Sequence, residues 1–143
     1  MALVADPLVQ QVIGHAIKVH RNLGPGLFES VYERCLVYEL ECHLLRFERQ
    51  VPLPLVYGGV RITCAYRADL IIEGRLLVEL KSIERLLPLH HTQVLTYLKL
   101  SRVRQALLIN FNVGKLTDGI KSFLGRHEDR EVAEEHEEGL PSV

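Results

Sequence analysis

The stretch RADLIIEGRLLVELK, Arg67 to Lys81, constrains the fold of this chain more than any other. Two apolar-rich runs flank Gly74, and a three-residue loop centred on that glycine folds them back as a β-hairpin. Side chains alternate along a strand. One face of the hairpin therefore carries Ala68, Leu70, Ile72, Leu76, Val78 and Leu80, and the other carries Arg67, Asp69, Ile71, Leu77, Glu79 and Lys81. In this register Asp69 falls directly opposite Glu79. Like charges across a strand pair cost roughly 0.2–1 kcal/mol. A divalent cation turns that repulsion into chelation; a solvated, ion-paired face is the other reading of the same residues.

A chain of 143 residues is long enough for one domain with a real core. Hydrophobic residues make up 48% and charged residues 24%, the balance of a soluble globular protein. No run approaches the ~20 apolar residues of a membrane helix. The opening MALVADPLVQ lacks a basic start and is interrupted by Asp6 and Pro7, so no signal peptide is expected. Cys35, Cys42 and Cys64 are odd in number and show no C-x-x-C spacing. They read as buried or half-buried thiols in a reducing cytoplasm, not as a disulfide framework or zinc knuckle.

The net charge of −1 conceals an asymmetry. From Arg126 onward, seven acids stand against two arginines, a sum of −5, which leaves +4 on residues 1–125. The expected organisation is one domain over 1–125 and an acidic tail over 126–143, read as a solvated helix or disordered extension. A mildly basic body is compatible with a polyanionic substrate without requiring one.

Periodicity supplies the rest. Asp6 as N-cap and Pro7 at the first position open a helix to about Arg21, with Leu8, Val12, Ile13, Ala16 and Ile17 as its apolar stripe. Gly24-Pro25-Gly26 breaks it. A second helix is expected from about Leu27 to Leu45, with Phe28, Val31, Cys35 and Leu36 inward and Glu33, Arg34 and Glu41 outward. From Phe47 the period becomes two, and Pro52 and Pro54 indicate an edge strand. Tyr57-Gly58-Gly59 forms a turn, and a strand from Val60 to Tyr66 runs into the hairpin, with a bulge near Ala65–Arg67. A helix at about Leu89–Leu100 follows Pro88. QALLINF, 105–111, reads as a strand covered on both faces. Thr117–Leu124 fits either a short helix or a strand. The order ααβββ(β)αβ describes an α/β fold, a mixed sheet flanked by helices.

Glu79 and Lys81 lie two apart on one strand and point the same way, while the Leu80 side chain faces the core. Asp69, Glu79 and the Leu80 backbone carbonyl can together offer oxygens to Mg²⁺ or Mn²⁺. Such an ion lowers the pKa of bound water, and Lys81 is placed to orient that water or to offset phosphoryl charge. The layout D-x(9)-E-x-K on a hairpin resembles the PD-(D/E)xK nuclease superfamily. Residues 26–32, GLFESVY, add Gly26, Glu29 and Tyr32 at the spacing G-x-x-E-x-x-Y. VHRNLGPG precedes it, and ELK, HHTQVLTYLKL and ALLINF follow in order. Over residues 8–123 the chain thus resembles the GxxExxY family of small bacterial and archaeal proteins, within the RecB-like branch of that superfamily.

The resemblance implies a restriction-endonuclease-like core and a Mg²⁺- or Mn²⁺-dependent nuclease. It makes Asp69 and Glu79 the metal acids and Lys81 their catalytic companion, with Glu29 as a helix-borne acid approaching from the side. Gln93 and Tyr97 match a Q-x-x-x-Y element that positions substrate or braces the site, and His20 matches an N-terminal histidine. Ala68 stands where the family pattern has proline, which chelation does not need. Nucleic acid, DNA first, is the implied partner, and a homodimer or partner protein would supply specificity. The alternative is a nuclease-fold module that binds nucleic acid or protein without cutting.

Several of these residues also have plainer roles. Glu29 can be a first-turn acid favoured by the helix dipole. Tyr32 reads as a packing residue with a satisfied hydroxyl, and Gly26 as a backbone residue. Gln93 and Tyr97 share a helical face with His90 and Leu100, which is either a patch facing the acids or a solvated side, with Val94, Leu95 and Leu98 inward. His90-His91 diverge by about 100° on a helix and do not make a zinc pair.

Overall fold

The computed structural model describes residues 6–125; the acidic stretch 126–143 lies outside them. Helix α1 spans Pro7–Leu23 and α2 spans Glu29–Cys42. Strands β1 (Phe47–Tyr57), β2 (Val60–Ile72) and β3 (Leu76–Lys81) follow, then α3 (Pro88–Ser101), β4 (Gln105–Asn110), a 3₁₀ turn (Leu116–Gly119) and β5 (Ile120–Leu124). The last stretch, open between helix and strand on sequence, is thus a turn and then a strand. The five strands lie in the order β1-β2-β3-β4-β5. Only β3 and β4 pair in parallel, because α3 crosses over between them.

The sheet is covered on both sides, and β4 shows why its sequence is apolar throughout. Leu107 and Ile109 pack with α1 and α2, whereas Ala106 and Leu108 pack with α3. The hairpin is divided in the same way. Leu70, Ile72, Leu76, Val78 and Leu80 join the α1/α2 core; Ile71 and Leu77 join the α3 core. Ala68 departs from strict alternation and packs in the α3 core. Strand pairing skips its neighbour Asp69, and Gln50 beside it adopts φ 50°, so the pleat is interrupted there.

Local signals act largely as expected. The Asp6 side chain caps α1 by accepting from the amides of Leu8 (2.8 Å) and Val9 (3.4 Å). Gly24 and Gly26 take φ 71° and 92°, a region costly for a residue with Cβ, and so turn the chain from α1 into α2. Strand β1, with its two prolines, forms an edge. The irregularity between β1 and β2 lies between the pairs Leu53–Tyr66 and Leu55–Ile62, where residues 63–65 of β2 stand opposite Pro54 alone. That is slightly earlier than the bulge expected at 65–67.

Helix α2 required correction. It begins at Glu29 and presents Tyr32, Glu33, Leu36, Val37, Glu39 and Leu40 inward. Phe28 is 82% exposed, and Val31 is exposed too. Glu33, expected in solvent, is buried because Arg49 Nε (3.0 Å) and Gln50 Nε2 (2.7 Å) of β1 satisfy its carboxylate. In α3, Leu95 is exposed instead of facing the core, and Tyr97 is buried instead. Cys35 is half-buried as expected, but Cys42, at the end of α2, is exposed. No helix among the described residues is long and apolar enough to cross a membrane.

Candidate functional site

The hairpin keeps the expected register. Leu70–Val78, Ile71–Leu77 and Ile72–Leu76 pair across the loop Glu73–Arg75, and the next step brings Asp69 level with Glu79. Here side chains take over from the ladder. The Asp69 amide donates to Glu79 Oε1 and the Leu80 amide donates to Asp69 Oδ2, both at 2.8 Å. Each acid is thus fixed by a backbone group of the strand opposite.

Their surroundings are not those of a solvated hairpin face. Glu79 is only 4% exposed, because α3 covers this side of the sheet. Among the described residues neither acid forms a salt bridge. Burial first, and the Asp69 charge second, push the Glu79 carboxyl up to about 8. Asp69 is also raised, by burial and by the charges of Glu33 and Glu29, against the opposing pull of the Leu80 amide and Gln50.

These acids floor a cleft of about 690 Å³ lined also by Glu29, Gln50, Tyr66, Arg67, Lys81, Gln93 and Tyr97. Glu29 reaches it through a sequence of contacts that explains the spacing G-x-x-E-x-x-Y. Buried Tyr32 stacks on Phe111 with ring centroids 4.3 Å apart. Its hydroxyl donates to Gly24 O (2.6 Å) and accepts from the Leu27 amide (3.1 Å), pinning the loop before α2. Ser82 Oγ donates to Leu27 O, and the Ser82 amide donates to Glu29 Oε2 at 3.3 Å. The start of α2 is thereby docked on the end of β3, one residue beyond Lys81.

Gln93 and Tyr97 come from α3 and do face the acids. Burial, then the Glu79 and Asp69 charges, push the Tyr97 hydroxyl up to about 12, so it holds its proton at any ordinary pH. His20 is not brought to the cleft. It is buried between α1 and the loop after β4, with Nε2 2.8 Å from Val113 O and its ring near Phe111.

Sequence reasoning missed Gln50, Glu33 and Asn110. Gln50 Nε2 bridges Glu33 Oε1 (2.7 Å) and Asp69 Oδ1 (3.3 Å), linking α2 to the acid pair. Buried Asn110 accepts from the Ile83 amide (3.1 Å) and donates to Ile83 O (2.9 Å), imitating a further strand residue that holds the β3–α3 loop in place. Glutamine on an edge strand and asparagine at a strand end carry no sequence signal of such roles.

The donor set is one that a hard divalent cation fits. The buried Glu79 carboxylate, the half-buried Asp69 carboxylate and a third acid at the rim stand against the Lys81 ammonium and the Arg67 guanidinium, so the ligands on offer are oxygens and the fully ionised acids outnumber the cations by one.

No curated protein matches the sequence. The solved structure titled "Crystal structure of SSO0001" is similar with a TM-score of 0.47 and 22% identity, covering 76% of this chain and 55% of that chain. A family model for the PD-(D/E)XK nuclease superfamily matches residues 6–123, nearly all of the described fold, and the chain belongs to that superfamily.

Proposed function

We propose that the protein is a Mg²⁺- or Mn²⁺-dependent phosphodiesterase acting on nucleic acid, DNA first, and that it belongs to the GxxExxY family in the RecB-like branch. The observation carrying this reading is the convergence of Asp69, Glu79, Lys81 and Glu29 in one cleft, with no cationic partner at salt-bridge distance from Asp69 or Glu79 among the described residues. Asp69 and Glu79 would hold the cation, with Glu29 at the rim and the Leu80 carbonyl as a further oxygen. The Leu80 amide already points at Asp69, and the amide and carbonyl of a strand residue leave on the same edge. When bound, such a cation lowers the pKa of a water and screens charge on the phosphate.

The remaining work falls to the chain. The Lys81 ammonium orients the attacking water and offsets charge on the phosphoryl oxygens. Tyr97, protonated up to about 12, is a permanent donor to a phosphate oxygen. The Gln93 amide offers both a donor and an acceptor to position the strand. Sequence reading would come from a second subunit or a partner protein, since the described chain adds little beyond the core elements.

The test is titration with Mg²⁺ and Mn²⁺ of the wild type, Asp69→Asn and Glu79→Gln, following heat of binding and cleavage of mixed DNA and RNA substrates. Loss of binding and at least a ~100-fold loss of cleavage in both variants is expected. Unchanged metal affinity in both refutes the metal assignment. Metal binding by a wild type that cuts nothing moves the protein to the non-catalytic reading.

A further inference from the structure

A second donor cluster lies at the other end of α2. His15 of α1, Glu39 in the last turn of α2 and His43 at its C-cap offer ligand atoms that all lie within 4.8 Å of one another. His15 and Glu39 are 8% and 7% exposed, whereas His43 lies at the surface. His15 Nε2 and Glu39 Oε1 are buried without a hydrogen-bond partner. The Lys18 ammonium stands 3.2 Å from that Glu39 oxygen, but makes no hydrogen bond of acceptable geometry and is itself 60% exposed. His15 Nε2 thus has no partner and Glu39 Oε1 only an ion pair with an exposed lysine; a buried polar atom without a hydrogen bond is costly, and folded proteins seldom retain one without a use.

The tautomers also suit a ligand. His43 Nδ1 lies 2.9 Å from Glu39 O, so it carries the proton and leaves Nε2 with a free lone pair. Such an outer hydrogen bond from one ring nitrogen to a carbonyl is the usual support of a metal-bound imidazole. The two rings lie side by side, tilted by 39°, with centroids 4.2 Å apart. Burial first, and then His43, hold the His15 ring below its ordinary pKa.

We propose that His15, Glu39 and His43 form a zinc-class transition-metal site that clamps α1 to the C-terminal end of α2. Two imidazoles and one carboxylate are a borderline donor set that favours Zn²⁺ over Mg²⁺, the reverse of the all-oxygen cleft. Tetrahedral zinc with nitrogen ligands at 2.0–2.1 Å needs neighbouring donors about 3.3 Å apart. Exposed His43, on a helix end, supplies the required movement, and the Lys18 ammonium swings out to solvent. Glu29 and Glu39 stand ten residues apart, so the two sites are separated by ~15 Å along the α2 axis. The clamp does not depend on the nuclease reading.

The test uses the full chain stripped with chelator and supplied with excess Mg²⁺. Zn²⁺ is titrated by calorimetry and Co²⁺ by its visible absorption. One ion per chain and a tetrahedral Co²⁺ spectrum are expected. His43→Ala and His15→Gln should each weaken binding by ~100-fold or more, beyond the loss caused by removing an outer partner. The Asp69→Asn/Glu79→Gln double variant should bind Zn²⁺ as the wild type does. His43→Ala changes an exposed residue, so it decides the question even where His15→Gln fails to fold. No binding at micromolar Zn²⁺, binding that survives His43→Ala, or loss in the cleft double variant overturns the proposal.

Discussion

Glu79 makes the stability of this protein fall as pH rises. Its carboxyl titrates at 4.5 in an ordinary setting and at about 8 in the fold. Below 4.5 it is protonated in both states and costs nothing. Between the two values the unfolded chain releases its proton while the native chain keeps it, so folding loses ground. At 1.36 kcal/mol per pH unit, the span from 4.5 to about 8 amounts to about 5 kcal/mol, all of it lost by the upper value. His15 and His90, both lowered by burial, act in the opposite direction, because their unfolded forms bind the extra proton.

The wild type must therefore be compared with Glu79→Gln, in which the histidine contributions are shared. Urea unfolding of both proteins in chelator, from about pH 5 to about pH 8, reads the difference directly. The wild type should lose several kcal/mol relative to the variant. Asp69→Asn should reduce this loss without abolishing it, since the neighbouring charge is the second cause and burial the first. Mg²⁺ should flatten the wild-type curve, because a cation favours the ionised acids. Parallel curves for wild type and Glu79→Gln would refute the placement of Glu79 as a buried, unpaired carboxyl.

Two further predictions concern the scaffold. Tyr32→Phe removes the hydroxyl that joins Gly24 O to the Leu27 amide, so about 1–3 kcal/mol of stability should be lost. Faster amide exchange at Leu27 and the first turn of α2 would locate the effect at the entry of Glu29. A Cβ at Gly119 would run into the Asn110 carbonyl, so Gly119→Ala should cost about 1–3 kcal/mol in urea unfolding.

What could be read from the sequence follows from what is local. The Asp6–Pro7 cap, the loop at Gly74, the prolines of the β1 edge and the two-sided apolarity of β4 are each settled within a few residues. The hairpin fixed the register of Asp69 and Glu79, and the i, i+4 spacing put Gln93 and Tyr97 on one side of α3. The face of α2 was harder to read. Its inward side includes Glu33 and Glu39, whose burial depends on Arg49, Gln50 and Lys18, and a helical period cannot count partners from other elements. The same blindness hid the His15–Glu39–His43 cluster, since its members come from two helices. His20 went the other way: a buried histidine bonded to Val113 O looks, in sequence, like one waiting for substrate.

The exchange of hydrogen bonds between each acid and the opposite strand has a consequence for how such a chain ages. Asp69 and Glu79 act as fasteners of the sheet, and a variant lacking either one would leave an amide of the opposing strand without its acceptor. Selection for folding alone therefore preserves an accepting side-chain oxygen at both positions, which Asn or Gln also supplies. Lys81 is under no such obligation, because its side chain satisfies no backbone group among the bonds of the described residues. In descendants of this fold the lysine is the residue free to drift first, whereas positions 69 and 79 keep an accepting oxygen for the sake of the sheet.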